Sequence, residues 1–292
     1  EREMNGSPGL IYMESVAQAN GSGTITVYFE TGTNPDMAQV DVQNRLSRAA
    51  PRLPAAVTQA GVRVDKSRSN FLLFTMLSSD NPDIDIVALG DYATRNVLPE
   101  IQRLPGIGQA QLFGTERAMR IWIDPAKLAG FNLSAADVNN AIRAQNAQVS
   151  SGSIGELPNI TGQSISATVV VDGLLNNTAQ FGNILLRANA DGSAVRLKDV
   201  ARIELGAQTY ATSARLNGNP AAGIGVQLSP TGNAIAAARA VRERMAELET
   251  YFPKGVHWTI PYDSSRFVKI SIAQVAETLV IAVVLVFLVI FL

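Results

Sequence analysis

Apolar and polar residues alternate over residues 24–30 (TITVYFE), the period of a half-buried strand. The period then lengthens: across 36–49, Met37, Val40, Val42, Leu46 and Ala49 fall near helical spacing after an Asn-Pro-Asp start. Pro51 and Pro54 end that helix, and 62–64 opens another extended piece. The cycle recurs with a strand at 71–77 (FLLFTML), a helix over 83–104 made irregular by Pro99, and a strand at 108–113 (GQAQLF). A strand at 118–123 (AMRIWI) is stopped by Asp124-Pro125, Ser134 caps a helix over 135–146, and 164–171 reads as a strand. After a shorter unit at 181–201 come a strand at 221–228, a long helix over 234–251 and a returning strand at 256–261 (VHWTIP). Strands interleaved with helices of two to five turns predict an α+β body of small split βαβ modules, with helices on one face of each sheet. No unit is long enough for a doubly wound nucleotide domain.

Two stretches break the pattern. Residues 148–163 (QVSSGSIGELPNITGQ) are rich in Ser and Gly and contain Pro158, a length that suggests a functional or partner-binding arm rather than an ordinary loop. Residues 278–292 (TLVIAVVLVFLVIFL) carry no charge and offer no polar face to water. At ~1.5 Å per residue this run reaches about 22 Å, short of a hydrocarbon core of roughly 30 Å, so it reads as the first part of a longer membrane span. The opening, EREMNGSPG, lacks the basic and apolar regions of a signal peptide and reads as the interior of a larger protein.

Composition narrows the function. Lys plus Arg total 24 against 25 for Asp plus Glu, a net charge of −1 that gives no electrostatic footprint for nucleic acid. Cysteine is absent, which excludes disulfides and thiolate metal sites and fits an oxidising compartment. His257 is the single histidine and sits beside Trp258 in an apolar strand, where a structural role outweighs a catalytic one. No glycine loop ends in Lys-Ser/Thr, Pro105-Gly106-Ile107-Gly108 lacks the third glycine of a dinucleotide fingerprint, and the six methionines are scattered. Nothing here supports an enzyme. Phe71, Phe74, Gln111, Phe113, Tyr210 and Tyr262 could line an apolar cavity, though position alone favours core over ligand contact for each of them and assigns no pocket.

Four segments carry a more specific signal: QVDVQNRL (39–46), QLFGTERAMRIWIDP (111–125), IRAQNAQV (142–149) and PYDSSRFVKISI (261–272). In this order they closely resemble segments of the AcrB/MexB-like resistance-nodulation-division multidrug efflux transporters, of the hydrophobe/amphiphile class. The resemblance is collinear over essentially the whole chain.

It implies an inner-membrane drug/proton antiporter of Gram-negative bacteria, a homotrimer whose periplasmic porter and docking subdomains are repeated ferredoxin-like modules. On that layout, 1–69 belong to a first porter subdomain lacking its opening strand. Residues 70–115 and 208–265 form a discontinuous second one, 116–207 the docking subdomain, and 266–292 an approach segment and the start of a transmembrane helix. The arm at 148–163, with Pro158 at the arm's proline position, would insert into a neighbouring protomer. Phe71, Phe113, Gln111, Tyr262 and Ser69 match positions of the drug pocket, and Gln59 a glutamine at the exit gate. Asp65 stands where the family commonly has glutamate and keeps a carboxylate for cationic drugs. Phe74, Thr212 and Ser213 replace residues that are often aliphatic in relatives, implying a more aromatic and more polar pocket. The implied partners are amphiphilic drugs, dyes or detergents, a periplasmic adaptor and an outer-membrane channel. No cofactor is implied, since the proton motive force drives the intact transporter through residues outside this chain. Three readings compete: a membrane-anchored periplasmic ligand-binding module, an assembly module, and a metal-exporting relative, the last disfavoured by the lack of clustered methionine and histidine.

Overall fold

The computed structural model describes residues 1–18, 21–147, 153–154, 167–168, 173–189, 192–211 and 213–292. They form two compact units, one of Glu1–Thr115 with Thr212–Leu292 and one of Glu116–Ala211.

The first unit opens on a turn that leads into β1 (Leu10–Ala17), antiparallel to β2 (Gly23–Phe29) with Met13 opposite Val27. The residues of β2 are mostly exposed rather than half buried, because β1 is its one ladder partner among the described residues. Helix α1 (Pro35–Ala49) starts where Asn34 accepts hydrogen bonds from the N–H groups of Asp36 and Met37 at 2.9 and 3.3 Å. A short α2 (Ala55–Ala60), unforeseen in the sequence, follows Pro54, and residues 61–68 continue without joining a sheet.

On α1, the Arg45 guanidinium donates to the carbonyls of Glu3, Asn5 and Gly6 at 3.2, 3.1 and 2.9 Å and to the Asp41 carboxylate at 2.7 Å. The hydrogen bond from Arg45, then that from Ser7, holds the Asp41 carboxyl below its usual range. A depressed folded-state value gives a contribution that is present above the unfolded carboxyl value of about 4 and lost as pH falls through the lower, folded one. Arg45→Met is expected to lower amide-exchange protection across residues 3–6 at neutral pH. Unchanged protection would refute this clamp.

The chain then enters β3 (Phe71–Ser79), followed by α3 (Ile86–Tyr92), a π-helical turn at Ala93–Val97, α4 (Leu98–Gln102) and β4 (Ile107–Phe113). Asp85 caps α3 by accepting from the Ala88 N–H at 2.7 Å. The expected irregularity near Pro99 is this widened turn, which accommodates a residue with no N–H to donate.

The second unit is inserted here. It contains β5 (Arg117–Ile123), α5 (Pro125–Gly130), α6 (Ala135–Gln145), the two-residue pair β6 (Ser153–Ile154) and β7 (Ala167–Thr168), α7 (Thr178–Gly182), β8 (Leu185–Ala188), β9 (Ala194–Arg196), α8 (Leu197–Val200) and β10 (Ala201–Ala207). Asp124 does more than stop β5: it caps α5 by accepting from the N–H groups of Ala126 and Lys127. Ser134 and Asp137 form the capping box of α6. Leu128, Val138, Phe181, Ile184, Val195, Leu197 and Val200 fill the unit's core beneath antiparallel β5 and β10. The proposed arm at 148–163, with Pro158, lies outside the described residues except for Ser153–Ile154, as does the expected strand at 164–171 except for Ala167–Thr168.

Back in the first unit, β11 (Ala214–Leu216) and β12 (Asn219–Leu228) form a hairpin turned by Asn217 and Gly218, both at positive φ (50° and 88°). Helix α9 (Ala234–Glu249), β13 (Val256–Asp263) and α10 (Ser265–Phe291) complete the chain. The main sheet runs β13-β3-β12-β4 with every neighbouring pair antiparallel, and β11 shares the β4 edge of β12. Each of the crossovers β3 to β4 and β12 to β13 skips one strand and carries helices on the same face. Leu73, Leu77, Leu89, Val97, Ile101, Ile224, Val226, Val241 and Met245 form the core between that face and the helices. The fold is mixed α/β with antiparallel sheets, and the other sheets among the described residues have two strands.

The approach segment at 266–277 and the apolar run form one continuous helix of 27 residues. At ~1.5 Å per residue it spans about 40 Å, long and apolar enough to cross a membrane. The helix that carries the apolar run starts at Ser265, so the approach segment is helical as well.

Candidate functional site: an aromatic recess on the sheet

One face of the main sheet is covered by helices, and the opposite face carries rings. Strict alternation would put Phe71 and Phe74 on opposite faces, since they are three residues apart. The pairing jumps from Val226–Leu73 to Gln227–Phe71, so Leu72 is an extra residue and the resulting bulge returns Phe71 to the side of Phe74. Their ring centroids lie 4.7 Å apart.

A second bulge does the same on the other neighbour of β3. In β13, Trp258 pairs with Leu77 and packs with Ile260 against the core. The register then shifts between Thr259 and Tyr262, across Pro261, and Tyr262 emerges opposite Phe74 with centroids 6.1 Å apart. Proline is tolerated in a strand at such a break in the ladder. Phe113 comes from β4, two strands away, with its ring 5.7 Å from Phe71 and 5.5 Å from Phe74.

What lets β4 and β3 share a ring cluster is the strand between them. Gly223 and Gly225 of β12 both present this face, and a Cβ on Gly225 would lie 2.7 Å from Phe113, 2.8 Å from Phe71 and 2.9 Å from Phe74. The rings rest on bare backbone. Two glycines at alternate positions, Gly223 and Gly225 of AAGIGVQL, are the sequence signal for this floor, and reading the segment only as a strand passes over them.

Ser69, Asn70, Phe71, Phe74, Tyr262 and Ser264 line a recess of about 630 Å³ beside the cluster. None of these side chains is charged. Phe113 and Tyr262 keep 38% and 46% of their surface exposed, so the rings are available to a ligand. Edge-on and tilted ring pairs contribute about 0.5–1.5 kcal/mol each beyond area burial, which orders the cluster without closing it. Gln111 sits opposite Gly225 and adds an amide on the same face. The main chain of Ser69 is tied in by Gln227, whose Nε2 donates to the Ser69 carbonyl at 3.0 Å.

The structure thus brings together Phe71, Phe74, Phe113 and Tyr262, with Ser69 at the recess and Gln111 on the same face. Asp65 does not line the recess: its carboxylate accepts from Arg63 Nε at 2.6 Å. Gln59 is exposed on α2, Ser213 is exposed before β11, and Thr212 falls outside the described residues. Tyr210 does not join the cluster. In the second unit its hydroxyl accepts from the Ala207 N–H at 3.3 Å, and the Arg120 guanidinium lies 5.4 Å from its ring. His257 is exposed rather than packed in the sheet, with Nε2 3.1 Å from an Asp80 carboxylate oxygen.

The site is thus an open sheet face with partly exposed rings and a neutral polar margin, in a chain that ends in a helix long and apolar enough to cross a membrane. The chain belongs to the AcrB/AcrD/AcrF family, which matches residues 1–292. It is 48% identical to the multidrug resistance protein MdtF of Escherichia coli strain K12, 45% identical to the multidrug export protein AcrF of the same strain, and 48% identical to the toluene efflux pump membrane transporter TtgB of Pseudomonas putida strain DOT-T1E. Each match covers 100% of this chain and 28% of the relative, so the chain spans about a quarter of the length of these transporters.

Proposed function

We propose that this chain supplies the drug-binding and docking part of a proton-driven multidrug efflux transporter, a secondary active antiporter and not an enzyme. The carrying observation is the cluster of Phe71, Phe74, Phe113 and Tyr262 on a glycine floor beside an uncharged recess. Aromatic faces give large contact area with little geometric demand, and Gln111 and Ser69 offer adaptable polar contacts, a combination suited to many amphiphiles. Family membership and relatives named for multidrug and toluene efflux support the same reading.

In this proposal the main sheet is a ferredoxin-like porter subdomain, in keeping with its βαββαβ order, and the unit Glu116–Ala211 is the docking subdomain. The segment 1–69 belongs to a neighbouring porter subdomain. The soluble parts lie on the periplasmic side of a Gram-negative inner membrane, α10 enters that membrane, and the homotrimer works with an adaptor and an outer-membrane channel. Drug binds against the ring cluster and leaves as the porter subdomains open and close. The test is equilibrium binding of a fluorescent dye to the intact transporter carrying Phe71→Ala with Phe113→Ala. Loss of two large ring faces is expected to weaken binding by at least about tenfold. Wild-type affinity in the double variant would remove the assignment.

A further inference from the structure

Next to the recess lies a cluster of charge that ring packing does not require. Asp263 follows Tyr262 in β13 and pairs in register with Leu73, which places it on the core side with its side chain 1% exposed. Its Oδ1 accepts from the N–H and the hydroxyl of Ser265, the first residue of α10, at 2.9 and 2.6 Å. Its Oδ2 forms an ion pair with Arg242 of α9, and Arg266 Nε of α10 lies 3.9 Å away. The neighbouring Ser264 donates through both its N–H and its hydroxyl to the carbonyl of Leu72, at 2.9 and 2.7 Å. Leu72 is the bulge residue that turns Phe71 into the ring cluster.

A buried carboxylate loses its hydration, and a well-packed apolar group of similar size usually serves stability as well or better. Here one carboxylate gathers β13, α9 and α10, and it also meets the positive end of the helix dipole of α10. Most of α10 is uncovered by the rest of the described residues, so its first turn is where the fold takes hold of it. The groups on either side of the carboxylate, Tyr262 and Ser264, are two of the six that line the recess.

We propose that Asp263 is a positioning residue that makes α10, α9 and the Tyr262–Ser264 wall of the recess move as one body, so that a displacement of the membrane helix reaches the ligand as a change in the shape of its site. The inference rests on the efflux reading above. No contact with ligand is assigned to Asp263. It acts through Tyr262, Ser264 and the bulge at Leu72.

The experiment uses the full-length transporter with Arg242→Met and Asp263→Asn combined, which removes the pair without stranding either charge while Asn keeps an acceptor for the Ser265 N–H. Dye affinity is measured without an energy source, and export in energised cells is resolved into KM and maximal rate. Coupling predicts affinity within about twofold of wild type and a maximal rate lowered by at least about tenfold, whereas Arg242→Lys, which keeps the pair, retains half the rate or more. A normal maximal rate in the double variant overturns the proposal, and so does an equal loss of affinity and rate. If the double variant does not reach the membrane in wild-type amounts, Asp263→Glu, one methylene longer, is judged by the same criteria. Normal export by the unmodified protein with normal export by the variant refutes the coupling role alone. No export by the unmodified protein refutes the efflux reading and the coupling with it.

Discussion

Gly225→Val is expected to lower dye affinity of the intact transporter by at least about tenfold while leaving it folded. The first branch atom alone would come within 3 Å of three rings, from Phe113, Phe71 and Phe74. Those rings are partly exposed and can swing outward, so strain is relieved by dispersing the cluster rather than by breaking the sheet. The loss should follow the area of aromatic contact, larger for flat polycyclic dyes than for small ones. Gly173, where a Cβ would meet nothing within 4 Å, provides the control, and Gly173→Val should leave affinity unchanged. Undiminished binding by Gly225→Val would show that the bare floor of β12 has no part in recognition.

Gly90→Ala should destabilise the protein, reversing the usual gain of up to about 1 kcal/mol for alanine over glycine inside a helix. Gly90 lies in α3 against the end of β4, where a Cβ would penetrate the carbonyl oxygen of Thr115 and stand 2.9 Å from its carbonyl carbon. Both partners are backbone, Gly90 within α3 and Thr115 in the short link between β4 and β5, so no rotamer change gives relief. Overpacking of this kind costs about 3 kcal/mol, a fall in Tm of about 6–12 °C for a unit of this size. Gly130→Ala, at the end of α5 with open space around it, should leave Tm unchanged or slightly raised. A Tm for Gly90→Ala equal to that of Gly130→Ala would contradict the close approach of α3 to Thr115.

The elements of the main sheet were legible as apolar runs of strand or helix length. Residues 71–77 and 221–228 match strands and 234–251 a helix, and Ser134 announced its helix by side-chain chemistry. Two features were not legible. β1 carries little alternation, and the short α2 and α5 depend on Pro54 and Asp124, which end one element and also start the next. For the site, period reasoning points the wrong way: it sets Phe71 against Phe74 and sends Tyr262 to the core with Trp258 and Ile260. Bulges at Leu72 and Pro261 reverse both, and a bulge is a property of two strands in register that no single segment displays. The family resemblance named Phe71, Phe113 and Tyr262 without showing how they meet. The geometry of β12 does that.

The two bulges also separate what the protein can change from what it must keep. Leu73, Leu77, Ile224 and Val226 face the helices, while Phe71, Phe74 and Tyr262 face away, so a substitution among the rings leaves the core contacts intact. On the proposed function, variants with altered ligand preference are therefore accessible at little loss of folding free energy. Under selection by a new toxic compound, such a surface can explore alternatives one residue at a time, and the sheet that carries it survives each trial.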